Sequence, residues 1–211
     1  RDHSGNDNHA LAEGLVEDDV TVVGTANAAL AFGPKKMLTI ENNAQLQLGS
    51  APYTLACWLR IKALPNNAAG IITKFKDYKD KEYGMFLDKD GRITARVEKA
   101  QNDNRVTTVG RLQKDRWYHL AVTFDPTLVD DLSARALKTY VNGDEAETTG
   151  RILELPEDTD TDVQVGHFFL PAYNRYLDGL IDDVRIYHGV LAGDDVEDLW
   201  RNPPAREMAA A

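Results

Sequence analysis

"YTLACWLRI", residues 53–61, alternates along its whole length. Tyr53, Leu55, Cys57, Leu59 and Ile61 fall on one side; Thr54, Ala56, Trp58 and Arg60 fall on the other. Successive side chains of a strand point to opposite faces, so this period of two predicts a β-strand with one face in a core. The pattern repeats in both directions. In "WYHLAVTFD", residues 117–125, Tyr118, Leu120, Val122 and Phe124 share a side. "YGMFLDKDGRITARV", residues 83–97, reads as a hairpin with Asp90-Gly91 in its turn, and "LKTYVNGDEAET", residues 137–148, as another turning at Asn142-Gly143. "VQVGHFF" at 163–169 and "LIDDVRIY" at 180–187 are the last strands. Short strands and glycine turns at this spacing predict an all-β sandwich or barrel.

Helical signal is sparse. In "AGDDVEDLW", residues 192–200, Val196, Leu199 and Trp200 fall at i, i+3 and i+4, with Asp194 and Asp195 near the positive end of the dipole. "TLVDDLSARAL", residues 127–137, is an insert between strands with room for one helical turn. "PEDTDTD", residues 156–162, reads as a solvated acidic loop. Residues 1–200 show no internal repeat or boundary and are expected to form one domain; residues 201–211 read as a tail or a linker to a following region.

The totals bound the function. The 211 residues suit one domain, and 43% apolar content argues against disorder. A formal net charge of −10, with no basic cluster in the sequence, disfavours nucleic acid and anionic membranes. No apolar run approaches the roughly 20 residues of a membrane helix, so no membrane insertion is expected. The chain opens on Arg and reads as a segment of a larger protein. Its one cysteine, Cys57, excludes an internal disulfide and is expected to be a buried, inert thiol.

The strands also resemble a known family, piece by piece and in order: "DHSGNDNHA" at 2–10, "AALAFG" at 28–33, "YTLACWLRI", "RWYHLAVTFD" at 116–125, "TYVNGD" at 139–144 and "GLIDDVRIYHGVLAGDDVEDLW" at 179–200. Together they resemble the LamG-like jelly-roll domains of the concanavalin A-like lectin/glucanase superfamily. The resemblance implies a two-sheet antiparallel jelly-roll sandwich of about a dozen strands with one short C-terminal helix. Ala192 stands where the family often has a capping Ser, and Ala31 where it usually has a basic residue. The fold hosts lectins, adhesion modules, glycosidases and spacers.

Candidate site residues come in three groups. Alternation through "LIDDVRIY" puts Asp182 on the face of Val184 and Ile186, toward the core, and Asp183 outward beside Arg185. A buried carboxylate needs a cation or several N–H donors. The resemblance implies that the opening segment lies near Asp182, through pairing of first and last strands. Two readings stay open: a structural Ca²⁺ on Asp2, Asn6 and Asp182 with backbone carbonyls, since Ca²⁺ takes about six to eight oxygens, or a metal-free lock in which Asp182 accepts from backbone N–H groups of Ser4, Gly5 or Asn6. The second group is "GHFFLPAYNRY", residues 166–176, whose His167, Phe169, Tyr173, Asn174, Arg175 and Tyr176 concentrate aromatic faces and polar heads of the kind that grip sugars, half of them expected to fold back over sheet edges. Tyr78 and Tyr83 in "KFKDYKDKEY" extend this set of loop aromatics.

The third group is catalytic, and it is empty. The sequence holds no "HExxH", "GxSxG", phosphate-binding loop or alternating Glu-x-Asp run of the related glucanases. His119 is expected to be a packed structural histidine, Trp58 and Trp117 to pack within the sandwich or under its loops, and Trp200 to pin the helix. The expected function is therefore a non-catalytic recognition module of a larger exported or surface protein, extracellular or periplasmic, monomeric, with carbohydrate or glycoprotein and other domains of its own polypeptide as partners. The alternative is a structural or adhesion module without sugar affinity, and third a glycoside hydrolase.

Overall fold

A computed structural model describes residues 4–23, 27–76, 81–97, 104–129, 131, 135–169 and 175–203. Fifteen strands among them form two antiparallel sheets. The eight-stranded sheet runs, in order, β1 (Ala10–Glu13), β4 (Met37–Ile40), β14 (Val163–Val165), β6 (Ala68–Phe75), β7 (Lys81–Asp88), β8 (Ile93–Val97), β9 (Arg105–Thr108) and β13 (Thr148–Arg151). The seven-stranded sheet runs β12 (Asp144–Glu145), β11 (Leu137–Val141), β10 (Trp117–Phe124), β5 (Tyr53–Ala63), β15 (Asp178–His188), β3 (Asn27–Phe32) and β2 (Val20–Val23). One helix, α1 (Gly193–Arg201), follows β15. The expected jelly-roll sandwich is present.

The core lies between the sheets and is built as the alternation requires. β5 gives it Tyr53, Leu55, Cys57, Leu59 and Ile61; β10 gives it Leu120, Val122 and Phe124. Opposite them stand Tyr83, Met85 and Leu87 of β7 and Ile93, Ala95 and Val97 of β8. Each buried Leu, Ile or Phe side chain contributes roughly 1.5–3 kcal/mol by leaving water. Tyr83 belongs here and not to a loop: its ring centroid is 5.3 Å from that of Tyr53, and its hydroxyl donates to Leu46 O at 3.0 Å. Tyr78 lies outside the described residues.

Both turns form where expected. Asp88 Oδ1 accepts from the N–H groups of Asp90 and Arg92, closing the β7–β8 turn. At the β11–β12 turn Asn142 and Gly143 have φ of 54° and 86°, the two left-handed positions of a type I′ turn. Gly143 is required twice over, since a Cβ there would stand 3.0 Å from Trp200 Cε3 and 3.2 Å from Glu197 Cα of α1. Trp200 thus seats the helix on the turn. Val196 of α1 packs against Ala56, Ala121 and Tyr140 on the outer face of the seven-stranded sheet.

The last strand departs from simple alternation. Asp182 stands opposite Trp58, but Arg185 stands opposite Ala56, three residues on one strand against two on the other. The extra residue is a β-bulge with Asp183 in the left-handed region, φ 51°. Before the bulge Ile181, opposite Leu59, faces the core; after it Val184 and Ile186 do. Asp182 is therefore on the outer face with Trp58, and the expectation that it points inward is corrected: the bulge shifts the face by one residue between Asp182 and Val184. Asp182 Oδ1 accepts from the Asp183 N–H at 2.7 Å, and Asp183 Oδ1 accepts from Arg185 Nε at 2.8 Å.

Candidate functional site

The first and last strands do not pair. β1 lies at the edge of the eight-stranded sheet against β4, whereas β15 lies inside the other sheet between β5 and β3. Asn6 is exposed beside the segment after β4, where its Oδ1 accepts from Gln45 Nε2 at 3.5 Å. Asp2 lies outside the described residues. Among those residues no group of three or more His, Cys, Asp or Glu stands close enough to hold a metal ion.

The described parts of the 166–176 connection, at 166–169 and 175–176, pack back on the eight-stranded sheet. The first of them bears on its middle. It crosses β6 at Gly70, where a Cβ would meet His167 O at 2.3 Å, and Thr73 Oγ1 donates to the same carbonyl at 2.9 Å. His167 and Arg175 are buried. The His167 ring stacks on Tyr176 with centroids 4.3 Å apart, and its Nδ1 lies 3.0 Å from Gln164 Oε1. Burial lowers its pKa to about 4, so the ring is neutral at ordinary pH. Arg175 lies over the Phe168 ring, and Phe169 is left 47% exposed. Tyr173 and Asn174 lie outside the described residues. The residues expected to form a sugar platform are thus brought together in part, and His167 and Arg175 serve as packing.

Phe168 leads to a feature that no sequence motif announced. It packs edge-on against Phe86 of β7, which packs edge-on against Phe75. Beside this trio the outer face of the eight-stranded sheet opens into a groove of about 520 Å³. Arg96 lies over the Phe86 ring, 5.2 Å from its centroid, and covers the aromatic face from the groove side. The register then sets out two rows across the strands. Phe86, Thr94, Thr107 and Thr149 stand opposite one another on β7, β8, β9 and β13; Arg96, Arg105 and Arg151 stand opposite one another on β8, β9 and β13. Thr94 and Thr107 hydroxyls are 3.0 Å apart. Arg92 lines the other flank, with Asp88 and Asp90 of the turn beside it. The groove offers hydroxyls that donate and accept, guanidinium forks that donate and carboxylates that accept. Its two carboxylates belong to one turn, and Asp88 is occupied by two turn N–H groups.

A second polar cluster is structural. Lys74 of β6 and Glu82 of β7 are fully buried and ion-paired. Glu82 Oε1 accepts from Leu48 N at 3.1 Å; Oε2 accepts from the N–H and the hydroxyl of Thr159, both at 3.1 Å; Lys74 Nζ donates to Thr159 O at 2.7 Å. Asp158 accepts from Gly49 N at 3.0 Å and Asp162 from Asn42 N at 2.8 Å. The 156–162 stretch is thus an acidic loop, exposed at Glu157, Asp158 and Asp160 as expected, that is also strapped to the sheet by these bonds. On the other sheet His119 is buried with its ring 5.4 Å from Trp58, the structural role expected of it, and Cys57 is a buried free thiol.

These observations meet those on other proteins. Residues 33–197 match the model of the Laminin_G_3 family, of the concanavalin A-like lectin/glucanases superfamily, and the chain belongs to that family. No curated protein sequence matches it. Among solved structures, it is similar to botulinum neurotoxin type C, whose cell entry is described as dependent on interaction with two ganglioside molecules, at 16% identity and a TM-score of 0.69, over 95% of this chain and 47% of the toxin's. It is similar to domain 4 of AbnA, a GH43 extracellular arabinanase from Geobacillus stearothermophilus, in complex with arabinotriose, at 18% identity and a TM-score of 0.61, over 84% of this chain and 79% of that one. It is also similar to Trypanosoma rangeli sialidase, at 17% identity and a TM-score of 0.58, over 86% of this chain but 28% of the enzyme. At these identities the likeness is one of fold.

Proposed function

We propose that this chain is a non-catalytic carbohydrate-recognition module, and that it binds in the groove on the outer face of the eight-stranded sheet. The observation that carries the reading is the groove itself: about 520 Å³ lined by threonine hydroxyls, arginines and aspartates. Such a lining suits a ligand rich in hydroxyls, which needs many directional donors and acceptors and little apolar surface. The ganglioside and arabinotriose named for two similar structures support the ligand class. A hydrolase would need two carboxylates flanking one glycosidic bond; the groove's pair sits on a single turn with one member occupied. The exported or surface setting, within a larger protein, follows the family resemblance.

The test is a glycan array with the intact chain, followed by calorimetry on any hit. Thr107→Trp fills the groove from the middle of β9. It is expected to abolish binding with the melting midpoint kept within a few degrees. Unchanged binding in Thr107→Trp would remove the groove from the reading. Silence across the array at millimolar sugar would favour a structural or protein-interaction module, and release of reducing ends from a polysaccharide panel would overturn the non-catalytic part.

A further inference from the structure

We propose that this groove receives the free end of a glycan and not a stretch from its middle; the proposal rests on the recognition reading above and specifies which part of the ligand enters. Three observations carry it. First, one cross-strand row sets the length of the groove. Gly70 of β6 stands opposite Phe86, Phe86 opposite Thr94, Thr94 opposite Thr107, and Thr107 opposite Thr149. Neighbouring strands are about 4.8 Å apart, so the three steps from Phe86 to Thr149 cover about 14 Å. The groove's 520 Å³ is likewise the size of a small-molecule site. Both dimensions suit a short oligosaccharide.

Second, the row is walled at β6. A Cβ on Gly70 would meet His167 O at 2.3 Å, and the Gly70 N–H donates to Arg175 O at 3.4 Å. Phe168 stands edge-on to Phe86 with centroids 5.0 Å apart, and Ala68 packs against the same aromatic cluster. His167, Phe168 and Arg175 are buried, so the wall is a packed part of the fold. Third, the opposite end is open. Among the described residues β13 is the last strand of its sheet, and its Thr149 and Gly150 are exposed. A chain bound by its middle must leave the groove at both ends. Here it leaves only over β13. A glycan attached to protein, lipid or polymer is linked through its reducing end, so the end free to enter is the non-reducing one. A residue added to that end would need the space of Phe168, and such a clash discriminates strongly. A branched polymer or a coated surface offers many such ends.

The experiment presents the intact chain with an array of glycans linked through their reducing ends. Each is printed beside the same glycan capped at its free end by a different sugar: lactose with sialyllactose, mannotriose with galactosylated mannotriose, and arabinotriose with xylosylated arabinotriose among them. Each hit is expected to lose tenfold or more of its affinity on capping, measured by calorimetry with the free oligosaccharides. Phe168→Ala lowers the wall and should narrow that gap to threefold or less; Phe168→Leu, a milder cut, serves where the alanine chain melts early. Equal binding of capped and uncapped glycans would overturn the inference and leave the recognition reading standing. A gap that neither Phe168 variant alters, each checked as folded by its melt, would also overturn it. Silence across the whole array would sink both.

Discussion

Lys74→Met puts the clamp beneath the 156–162 strap to the test. Both side chains of the Lys74–Glu82 pair are fully buried. In the variant Glu82 keeps its three donors from Leu48 and Thr159 but loses its cation. Breaking one partner of a buried pair costs about 3–5 kcal/mol. In a domain of this size each kcal/mol moves the melting midpoint by about 2–4 °C, so a fall of roughly 10 °C is expected. The double variant Lys74→Met/Glu82→Gln removes both charges, and its single amide oxygen keeps either the Leu48 N–H or the Thr159 donors. It should lose less than the sum of the two single variants by about 1 kcal/mol or more. The deficit also has a pH sign. Burial raises the Glu82 carboxyl above its ordinary range, and Lys74 opposes that. Without Lys74 the folded state holds the proton of Glu82 more tightly than the unfolded chain does, so the deficit grows as pH rises through the folded pKa and shrinks below it. Urea unfolding followed by the fluorescence of buried Trp58, at pH 5 and pH 8, reads both effects. A Lys74→Met chain within about 0.5 kcal/mol of the parent, or single variants that simply add, would refute the reasoning.

Other outcomes follow from single residues. Burial lowers the His167 pKa to about 4, below an unfolded value of about 6.5; the stability this gives is present above pH 6.5 and lost as pH falls toward 4, a loss of roughly 2 kcal/mol by pH 5. An imidazole titration followed by NMR with a midpoint near 6.5 would contradict it. Asp183→Val and Asp183→Gly both lose the bond to Arg185, but only valine meets the left-handed backbone badly, so it should be less stable than the glycine variant by about 1–2 kcal/mol in chemical unfolding. Gly70→Ala drives a methyl into His167 O and should cost roughly 1–3 kcal/mol while speeding protease cleavage within 166–176; an unchanged cleavage rate would mean that the crossing at β6 does not hold that segment. For Asp182 a metal-free role at the bulge is the expected outcome, since its carboxylate already accepts from the Asp183 N–H: the midpoint should be the same with EDTA as with millimolar Ca²⁺, and a rise on adding Ca²⁺ that Asp182→Asn abolishes would restore the calcium reading.

Much of the fold was legible because β5 and β10 are long and keep strict alternation, and because Asp90-Gly91 and Asn142-Gly143 are turn sequences with a mechanism. β15 was misread at one residue. Asp183 takes a left-handed conformation without the glycine that would have signalled a bulge, so the faces were carried one position too far. The groove escaped notice for a different reason. Period two does tell that Arg92, Thr94 and Arg96 share a face, but that β8, β9 and β13 are neighbours is set by long-range pairing, and only that pairing turns scattered arginines into a row. Lys74 and Glu82 escaped because both fall in "KFKDYKDKEY", residues 74–83, whose run of charges reads as a loop until a distant strap covers it.

The position of α1 bears on how tightly such a module could hold its ligand. The helix occupies the outer face of the seven-stranded sheet, against Ala56, Ala121 and Tyr140, and the groove occupies the outer face of the other. On the recognition reading the groove supplies one site per copy. Strong attachment to a polymeric glycan would come from repetition, with several modules tethered together so that each later contact forms at an effective concentration near the millimolar range. Weak binding by a single copy would then be the expected property of a part built to work in numbers.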